Sequence, residues 1–178
     1  VITPTQVVKD ELVEYFKVKK EKINAVHMGL DKIFSNVGND DEDLKKFGLA
    51  GDYFIYAGNV YPHKNIKRAI DAVVHLNQKR KDKVTFAIAS SRSVFTQRLE
   101  KLIKDLNAQR FVKLLGFVTD EELKVLLKNS IAFVYPSLSE GFGLQGLEAI
   151  AAGTLVLASD IPVFKEVYED NVMYFNPY

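Results

Sequence analysis

Short apolar segments alternate with amphipathic helical patterns from Tyr53 to the end of the chain. The apolar segments are rich in β-branched and aromatic residues, as in strands that are covered on both faces. We predict strands at Tyr53–Ala57, Val84–Ala89, Phe111–Leu114, Ile131–Tyr135, Leu155–Ala158 and Val172–Phe175, with helices at Ile66–Lys79, Val94–Leu106, Glu121–Asn129, Leu144–Ala152 and Val163–Tyr168. This alternation predicts an α/β fold, a Rossmann-like parallel sheet with helices on both faces, which gathers ligands at the carboxyl ends of its strands.

Two helix starts carry local signals. Asn65 precedes the first helix and is a residue type that caps helices with its side chain. Thr119 followed by Glu122 forms the Thr-x-x-Glu pattern of a capping box before the third helix.

The first residues follow a different pattern. Val8, Leu12 and Phe16 predict one amphipathic helix, which is followed by a strand around residues 23–26. Residues 36–43 (NVGNDDED) contain few apolar groups and many carboxylates, a composition typical of a linker. We therefore expect residues 1–40 to be the remnant of an N-terminal domain with its linker, and residues 41–178 to be the Rossmann-like domain.

Composition limits the possible functions. The chain has 178 residues, 47% of them hydrophobic, which is enough for one core but not for two full domains. Lys and Arg number 24 against 23 Asp and Glu, so the net charge of +1 creates no general field for nucleic acid. The lack of cysteine excludes thiolate metal sites and suits a cytoplasmic location. No apolar run approaches the roughly 20 residues of a membrane span, although contact with the inner face of a membrane is compatible with the sequence.

The strongest chemical signal is the segment SLSEGFGLQGLE, residues 137–148, directly after an apolar strand. A strand that runs through a glycine loop into a helix presents free backbone N–H groups and a positive helix end, which together form an anion site. Gly141 and Gly143 lack Cβ atoms, so a phosphorylated group has room to lie against the backbone. Glu140 and Glu148 are placed to accept hydrogen bonds from hydroxyls. The alternative is an ordinary strand-to-helix turn with two solvated glutamates.

The loop GNVYPHKN, residues 58–65, is a second candidate. Gly58 permits a tight turn, and Lys64 precedes a predicted helix where its ammonium could meet a phosphate. A solvated surface lysine is the alternative. After the third strand, Gly116 and Phe117 either offer backbone hydrogen bonds and an apolar edge to a nucleobase or form the ordinary end of a strand. Arg92 is either a further phosphate ligand or a solvated side chain. We expect no metal site, because no His or carboxylate cluster has ligand spacing.

The pattern Glu-Gly-Phe-Gly-x-x-x-x-Glu at residues 140–148 resembles the signature of the retaining GT-B glycosyltransferase family 4. Four further blocks are similar in the same order: GNVYPHKN, KLLGFVTDEEL, EAIAAGTLVLASDIPVFKEV and MYFNPY. The first residues resemble the end of that family's N-terminal domain. The resemblance therefore extends over most of the chain and implies the C-terminal, donor-binding half of such an enzyme.

The resemblance also implies roles for single residues. Lys64 would pair with the diphosphate of a nucleoside diphosphate sugar, Glu140 would hold the sugar hydroxyls, and Glu148 would hold the ribose. Lys64 and Glu140 are then the candidate catalytic residues. The implied donor-binding set is Gly58, Asn59, Lys64, Gly116, Phe117, Glu140, Gly141, Phe142, Gly143, Leu144 and Glu148. Family members transfer sugar with retention, usually without a metal or other cofactor, to a saccharide or lipid-linked acceptor.

One position departs from the family. Many members carry an arginine directly after the first loop glycine, where this chain has Asn59. Either one cation suffices here, or Arg92 takes over. The form Gly-Asn-x-Tyr-Pro-His-Lys-Asn resembles a branch rich in mannosyltransferases for polysaccharide synthesis, which favours GDP-mannose as donor. We expect a fragment that lacks most of the acceptor domain and therefore binds the donor without transferring sugar.

Two other functions are compatible with an α/β fold. A dinucleotide-binding dehydrogenase domain requires Gly-x-Gly-x-x-Gly after its first strand, and the chain has GNVYPHKN there. A non-catalytic nucleotide-binding or regulatory α/β domain would explain the fold, but it gives Lys64, Glu140 and Glu148 no reason to converge.

Overall fold

The computed structural model describes residues 1–35, 42–49 and 51–178. The domain boundary predicted near residue 40 lies outside the described residues. The main sheet has six parallel strands: β3 (Tyr53–Ala57), β4 (Thr85–Ala89), β5 (Val112–Gly116), β6 (Ala132–Tyr135), β7 (Val156–Ser159) and β8 (Met173–Phe175). A small parallel pair precedes it, formed by β1 (Ile2–Thr3) and β2 (Asn24–Ala25). The predicted Rossmann-like α/β fold is confirmed.

The strand order of the main sheet is β5-β4-β3-β6-β7-β8. The chain first moves outward from β3 to β5 and then returns to the centre, where β6 pairs with the other side of β3. The order reverses between β3 and β6. At such a reversal the connecting loops on the two sides diverge and leave a crevice at the carboxyl ends of the strands, where doubly wound sheets bind ligands.

Helices flank the sheet and follow the predicted pattern closely: α1 (Gln6–Phe16), α2 (Glu42–Lys46), α3 (Ile66–Lys79), α4 (Val94–Asp105), α5 (Asp120–Lys128), α6 (Leu144–Ala151) and α7 (Pro162–Tyr168). The capping box at α5 is confirmed, since Thr119 accepts from the Glu122 amide and Glu122 accepts from the Thr119 amide. None of the described helices is long and apolar enough to cross a lipid bilayer.

Asn65 does not cap α3 with its side chain, contrary to the prediction. Its backbone adopts a left-handed conformation, φ 56°, and its amide group donates to the carbonyl oxygen of Pro177, 3.0 Å away. Asn tolerates this conformation better than most residues because its short polar side chain can bond locally. The residue therefore joins the start of α3 to the segment that follows β8.

The core lies between the sheet and its helices and is built from fully buried aromatic and branched side chains. These include Tyr53, Tyr56, Tyr135, Tyr168, Phe86, Phe133, Phe164, Ile55, Ile70, Ile88 and Leu126. Central strands bury both faces, which explains why β3, β4 and β6 appear in the sequence as continuous apolar runs.

In the N-terminal segment, residues 1–35, helix α1 packs against α7, and the 3-10 turn Lys32–Ser35 packs against α5 and α6. Glu166 of α7 accepts hydrogen bonds from the backbone N–H groups of Gln6 and Val7 at 2.6 and 2.9 Å. Those N–H groups have no partner inside a helix, so Glu166 caps α1 from a distant part of the chain. Thr5 provides a local cap by accepting from the Val8 amide.

Candidate active site

The candidate site lies at the reversal of strand order, where β3 and β6 end side by side. The lysine loop (residues 58–65) follows β3, and the glycine loop (residues 137–143) follows β6. The two loops are joined directly, because the Leu138 amide donates to the His63 carbonyl oxygen at 2.8 Å. The fold therefore brings together the two segments that the sequence marked as chemical candidates.

Lys64 is buried at this junction. Pro62–Lys64 forms a 3-10 turn, and Pro62 occupies its first position, where a missing N–H costs nothing. The turn directs the ammonium inward, and Nζ lies 2.5 Å from Oε1 of Glu140, with each side chain 10% exposed. The alternative of a solvated surface lysine is wrong.

Glu140 is held by further groups. The fully buried Ser137 donates its hydroxyl to the same Oε1 at 2.7 Å. Burial, followed by the charge of Glu140, raises the pKa of both Tyr135 and Tyr56, so these phenols stay protonated at physiological pH. Tyr135 donates to Gln145, and Tyr56 donates to the carbonyl oxygen of Asn59. The alternative of a solvated glutamate is wrong for Glu140. Sequence reasoning gave Ser137, Tyr56 and Tyr135 no role, although Ser137 opens the segment that it singled out.

Helix α6 begins at the end of the glycine loop. Gly143 occupies its N-cap position with φ 94°, and it offers no side chain to cap the helix. The Gly146 N–H donates to the Gly143 carbonyl oxygen at 3.1 Å, while the N–H groups of Leu144 and Gln145, which precede it, are suited to an anion. Leu144 is the first helical residue, and Gln145 follows it.

The two loop glycines have different reasons to lack a side chain. A Cβ at Gly143 would lie 2.3 Å from the Tyr168 hydroxyl and 2.7 Å from the Phe164 ring, so α7 fills that space. The interpretation that Gly143 leaves room there for a ligand is wrong. At Gly141 a Cβ would meet only Pro4, at 3.9 Å. Gly143 therefore lacks a side chain because α7 packs against it, whereas Gly141 is exposed.

The strand-end cleft, a cavity of 410 Å³, lies beside the lysine loop at the carboxyl ends of β3, β4 and β5. Its wall includes Gly58, Asn59, Ser90, Arg92, Gly116 and Phe117. The Phe117 ring is 74% exposed, which leaves it free to pack against a planar ligand. Arg92 and Asn59 line the same cleft, so an arginine from the β4 loop lies near the position where the family arginine is absent.

Glu148 lies within α6 and is half-buried. Burial, and then the nearby carboxylate of Asp120, raise its pKa. Asp120 begins α5, the helix that follows the loop of Gly116 and Phe117 in the strand-end cleft. A half-buried carboxylate held near another carboxylate gains from hydrogen-bond donors supplied by a ligand.

The glycine loop also contacts the N-terminal segment, which sequence reasoning did not foresee. The Thr5 hydroxyl donates to the Gly141 carbonyl oxygen at 3.1 Å. The ring of the buried Phe142 lies edge-on to His27, 5.6 Å between centroids. His27 in turn lies 3.1 Å from Glu166. The N-terminal segment thus touches the backbone and the aromatic side chain of this loop.

A larger groove of 620 Å³ lies elsewhere, bounded by α3 and the strands β3, β6, β7 and β8. Its lining is almost entirely carbon, including Phe54, Val134, Leu157 and Met173. Volume alone does not identify a catalytic site, which needs convergent polar groups. The strand-end cleft and the adjoining Lys64–Glu140 pair meet that requirement. Within residues 1–35, 42–49 and 51–178, no group of three His, Cys, Asp or Glu side chains is placed to hold a metal ion.

The fold and the candidate site together define a Rossmann-like α/β domain with a lysine and a carboxylate at its switch point. A sequence model of the family "glycosyl transferases group 1" matches residues 38–177, and the chain belongs to this family. The O-antigen chain mannosyltransferase RfbU of Salmonella typhimurium is 35% identical over 178 residues, 99% of this chain and 46% of that protein. The O-antigen chain mannosyltransferase B of Escherichia coli is 32% identical over 135 residues, 75% of this chain and 35% of that protein. The chain therefore spans less than half the length of these relatives.

Solved glycosyltransferase structures share the fold. Anabaena Alr3699/HepE, crystallised with UDP and glucose, superposes with a TM-score of 0.83 at 21% identity, over 99% of this chain and 49% of that one. A glycosyltransferase from Rickettsia africae ESF-5 gives a TM-score of 0.81, also at 21% identity, over 99% of this chain and 49% of that one. At this identity the likeness establishes the shared Rossmann-like architecture of the GT-B neighbours.

Proposed function

We propose that this chain is the C-terminal, donor-binding half of a retaining GT-B glycosyltransferase that uses a nucleoside diphosphate sugar. The observation that carries the proposal is the convergence of Lys64 and Glu140, 76 residues apart in sequence, at 2.5 Å. They meet at the switch point of the sheet, beside an uncapped helix start. A cation, free N–H groups and a carboxylate at one place suit a ligand with both phosphates and hydroxyls.

The proposed donor extends across the site. Its base lies in the strand-end cleft against Gly116 and Phe117, and its ribose hydroxyls bond Glu148. Its diphosphate meets Lys64 and the first N–H groups of α6, from Leu144 onward. The sugar hydroxyls bond Glu140, with the backbone of Gly141–Gly143 alongside. Gly58 and Asn59 form the wall between base and diphosphate, where Arg92 supplies a second cation.

The proposed reaction needs stabilisation of a leaving group. When the bond between the sugar and the diphosphate breaks, negative charge grows on the departing phosphate oxygens. Once the donor is bound, Lys64 and the start of α6 lie beside these oxygens, so they stabilise the growing charge without further reorganisation. Glu140 orients the sugar through its hydroxyls. We propose that this chemistry needs neither a metal nor another cofactor.

The relatives support a proposal for the class of donor and acceptor. RfbU and mannosyltransferase B are named as mannosyltransferases, which favours GDP-mannose, while the Anabaena structure contains UDP and glucose. We propose a saccharide or lipid-linked acceptor, bound by a second domain, with the assembled enzyme working on the cytoplasmic side of a membrane.

Calorimetry with GDP-mannose, UDP-glucose and ADP-glucose, and with GDP, UDP and ADP, tests the proposal. We expect one base series to bind, the corresponding nucleoside to bind much more weakly, and the intact sugar nucleotide to bind more tightly than the diphosphate. The isolated chain should transfer no sugar. Binding of a nucleotide with no contribution from the sugar would favour a regulatory nucleotide-binding domain, and no binding in any series would refute the proposal.

A further inference from the structure

The cation proposed for the diphosphate has an anionic partner within the protein itself. Lys64 Nζ lies 2.5 Å from Glu140 Oε1, and Ser137 donates to that same oxygen at 2.7 Å. Each partner of the ion pair is 10% exposed, and Ser137 is fully buried. The group proposed to bind phosphate and the group proposed to bind sugar therefore neutralise each other in this structure.

A diphosphate that reaches this site must compete with Glu140. Two anions cannot both lie close to one poorly solvated ammonium without repulsion, and removing either partner of a buried pair leaves the other charge uncompensated. When Lys64 turns to a phosphate oxygen, Glu140 loses its cation. Sugar hydroxyls supply replacement hydrogen-bond donors to the Glu140 carboxylate, whereas a nucleoside diphosphate ends at its phosphate and places no hydroxyl there.

We infer that the Lys64–Glu140 pair is an exchangeable lock that makes tight binding depend on the sugar. This inference rests on the proposed function. The intact donor satisfies both residues at once, while the diphosphate product leaves Glu140 without a partner and is bound less tightly. Ser137 is a positioning residue in this scheme, since its hydroxyl holds the carboxylate in place while the ammonium changes partners.

Glu140→Gln tests the lock with GDP and UDP as probes, because it removes the competing charge and keeps the shape. We expect the diphosphate that binds the wild-type chain to bind Glu140→Gln about tenfold more tightly, or about 1.4 kcal/mol. The preference for intact sugar nucleotide over diphosphate should shrink by at least the same factor. The control is Glu100→Gln, at an exposed position on α4, which should change affinity less than twofold. Equal or weaker diphosphate binding by Glu140→Gln would overturn the inference.

A second measurement does not depend on the donor. A double-mutant cycle of Lys64→Met and Glu140→Gln, followed by urea unfolding, should show coupling of at least about tenfold in the unfolding equilibrium constant of the unliganded chain. Additive effects on the unfolding free energy would show that Lys64 and Glu140 do not stabilise each other, and this would refute the inference even if nucleotides bind. If the two residues are strongly coupled but the chain binds no nucleotide, the ion pair stabilises the fold and the proposed function is refuted.

The role of Ser137 has its own readout. Repeating the cycle in a Ser137→Ala background should reduce the coupling between positions 64 and 140, because the carboxylate is then less well placed. A purely structural serine would lower the stability of all four proteins and leave the coupling unchanged, and that result would overturn the positioning role.

Discussion

Tyr168 donates its phenolic hydrogen to the carbonyl oxygen of Gly143, so helix α7 holds the end of the glycine loop from inside the core. The Tyr168 ring is almost wholly buried and stacks against Phe164. Both rings occupy the space that side chains at positions 143 and 146 would need. The start of α6 is thereby fixed by packing, which gives its N–H groups a constant direction.

Gly146→Ala should destabilise the domain by about 1–3 kcal/mol. Its Cβ would lie 2.3 Å from the Tyr168 hydroxyl and 2.5 Å from the ring carbon that carries it, and a buried ring cannot move aside. Gly141→Ala is the matched control, since its Cβ would meet only Pro4 at 3.9 Å. Urea unfolding of both variants checks the prediction. A Gly141→Ala loss as large as that of Gly146→Ala would contradict it.

Lys64→Ala should weaken binding of a nucleoside diphosphate by about 1.5–3 kcal/mol, the range for a charge-assisted hydrogen bond. It should also destabilise the unliganded domain, since Glu140 is left buried without its cation. Lys67→Ala is the control: Lys67 is exposed on α3 and pairs with Asp71. Calorimetry with diphosphate and with nucleoside separates the two effects. Equal losses for both ligands would assign Lys64 to folding alone.

Glu148→Gln should stabilise the unliganded domain at neutral pH and weaken diphosphate binding at least about tenfold. The folded state raises the pKa of Glu148 by burial and by the charge of Asp120, so ionisation costs stability once the pH exceeds the ordinary glutamate value. The stability gain should therefore disappear below that value. Urea unfolding across pH, together with calorimetry, measures both effects. A variant that loses stability at neutral pH would contradict this account.

Arg92→Ala should weaken diphosphate binding by on the order of 1 kcal/mol, less than Lys64→Ala, because Arg92 is exposed. The effect should shrink as salt rises, since exposed charges are screened. Arg110→Ala removes the same side chain just before β5, at the opposite end of the strands, and should have no effect. If Arg92→Ala also left the affinity unchanged, Arg92 would not be a second cation, and Lys64 alone would meet the diphosphate.

Glu166→Gln should destabilise the domain by about 1 kcal/mol at neutral pH, the typical value of a helix cap. Partial burial raises the pKa of Glu166, but bonds from the Gln6 and Val7 amides and from His27 outweigh it, and the net pKa is lowered. The stabilisation is therefore present above the ordinary glutamate pKa and is lost as pH falls through the lowered value. Glu11→Gln, exposed on α1, is the control. If the unfolding free energies of wild type and Glu166→Gln fell in parallel as the pH is lowered, the prediction would be wrong.

Much of the fold is predictable because its signals are local. Strand β3 and helix α3 have the predicted limits, and the capping box at Thr119 depends on residues three apart. Strand β5 is shifted, since it begins after Phe111 and continues to Gly116. Its end is set by pairing with β4, where the register changes between Ile88 and Ala89, and no local pattern encodes that irregularity.

The site is predictable only in part. The glycine loop and the lysine loop each carry a recognisable pattern, but the contact of Lys64 with Glu140 depends on β3 pairing with β6. The same limit applies to Glu166, whose bonds to the start of α1 join residues about 160 positions apart. Tertiary pairing decides these contacts, and single-sequence periodicity does not report it.

The reversal of strand order separates the two halves of the candidate site in the order of synthesis. As the chain emerges from the ribosome, the half that carries Lys64 is complete before the segment with Glu140 has been made. Strand β6 can pair with β3 only after the chain has passed through β4 and β5. Pairing between strands so far apart in sequence forms slowly. The proposed ligand site is therefore complete only when β3 and β6 have paired, and a ligand bound there would stabilise both halves of the sheet together.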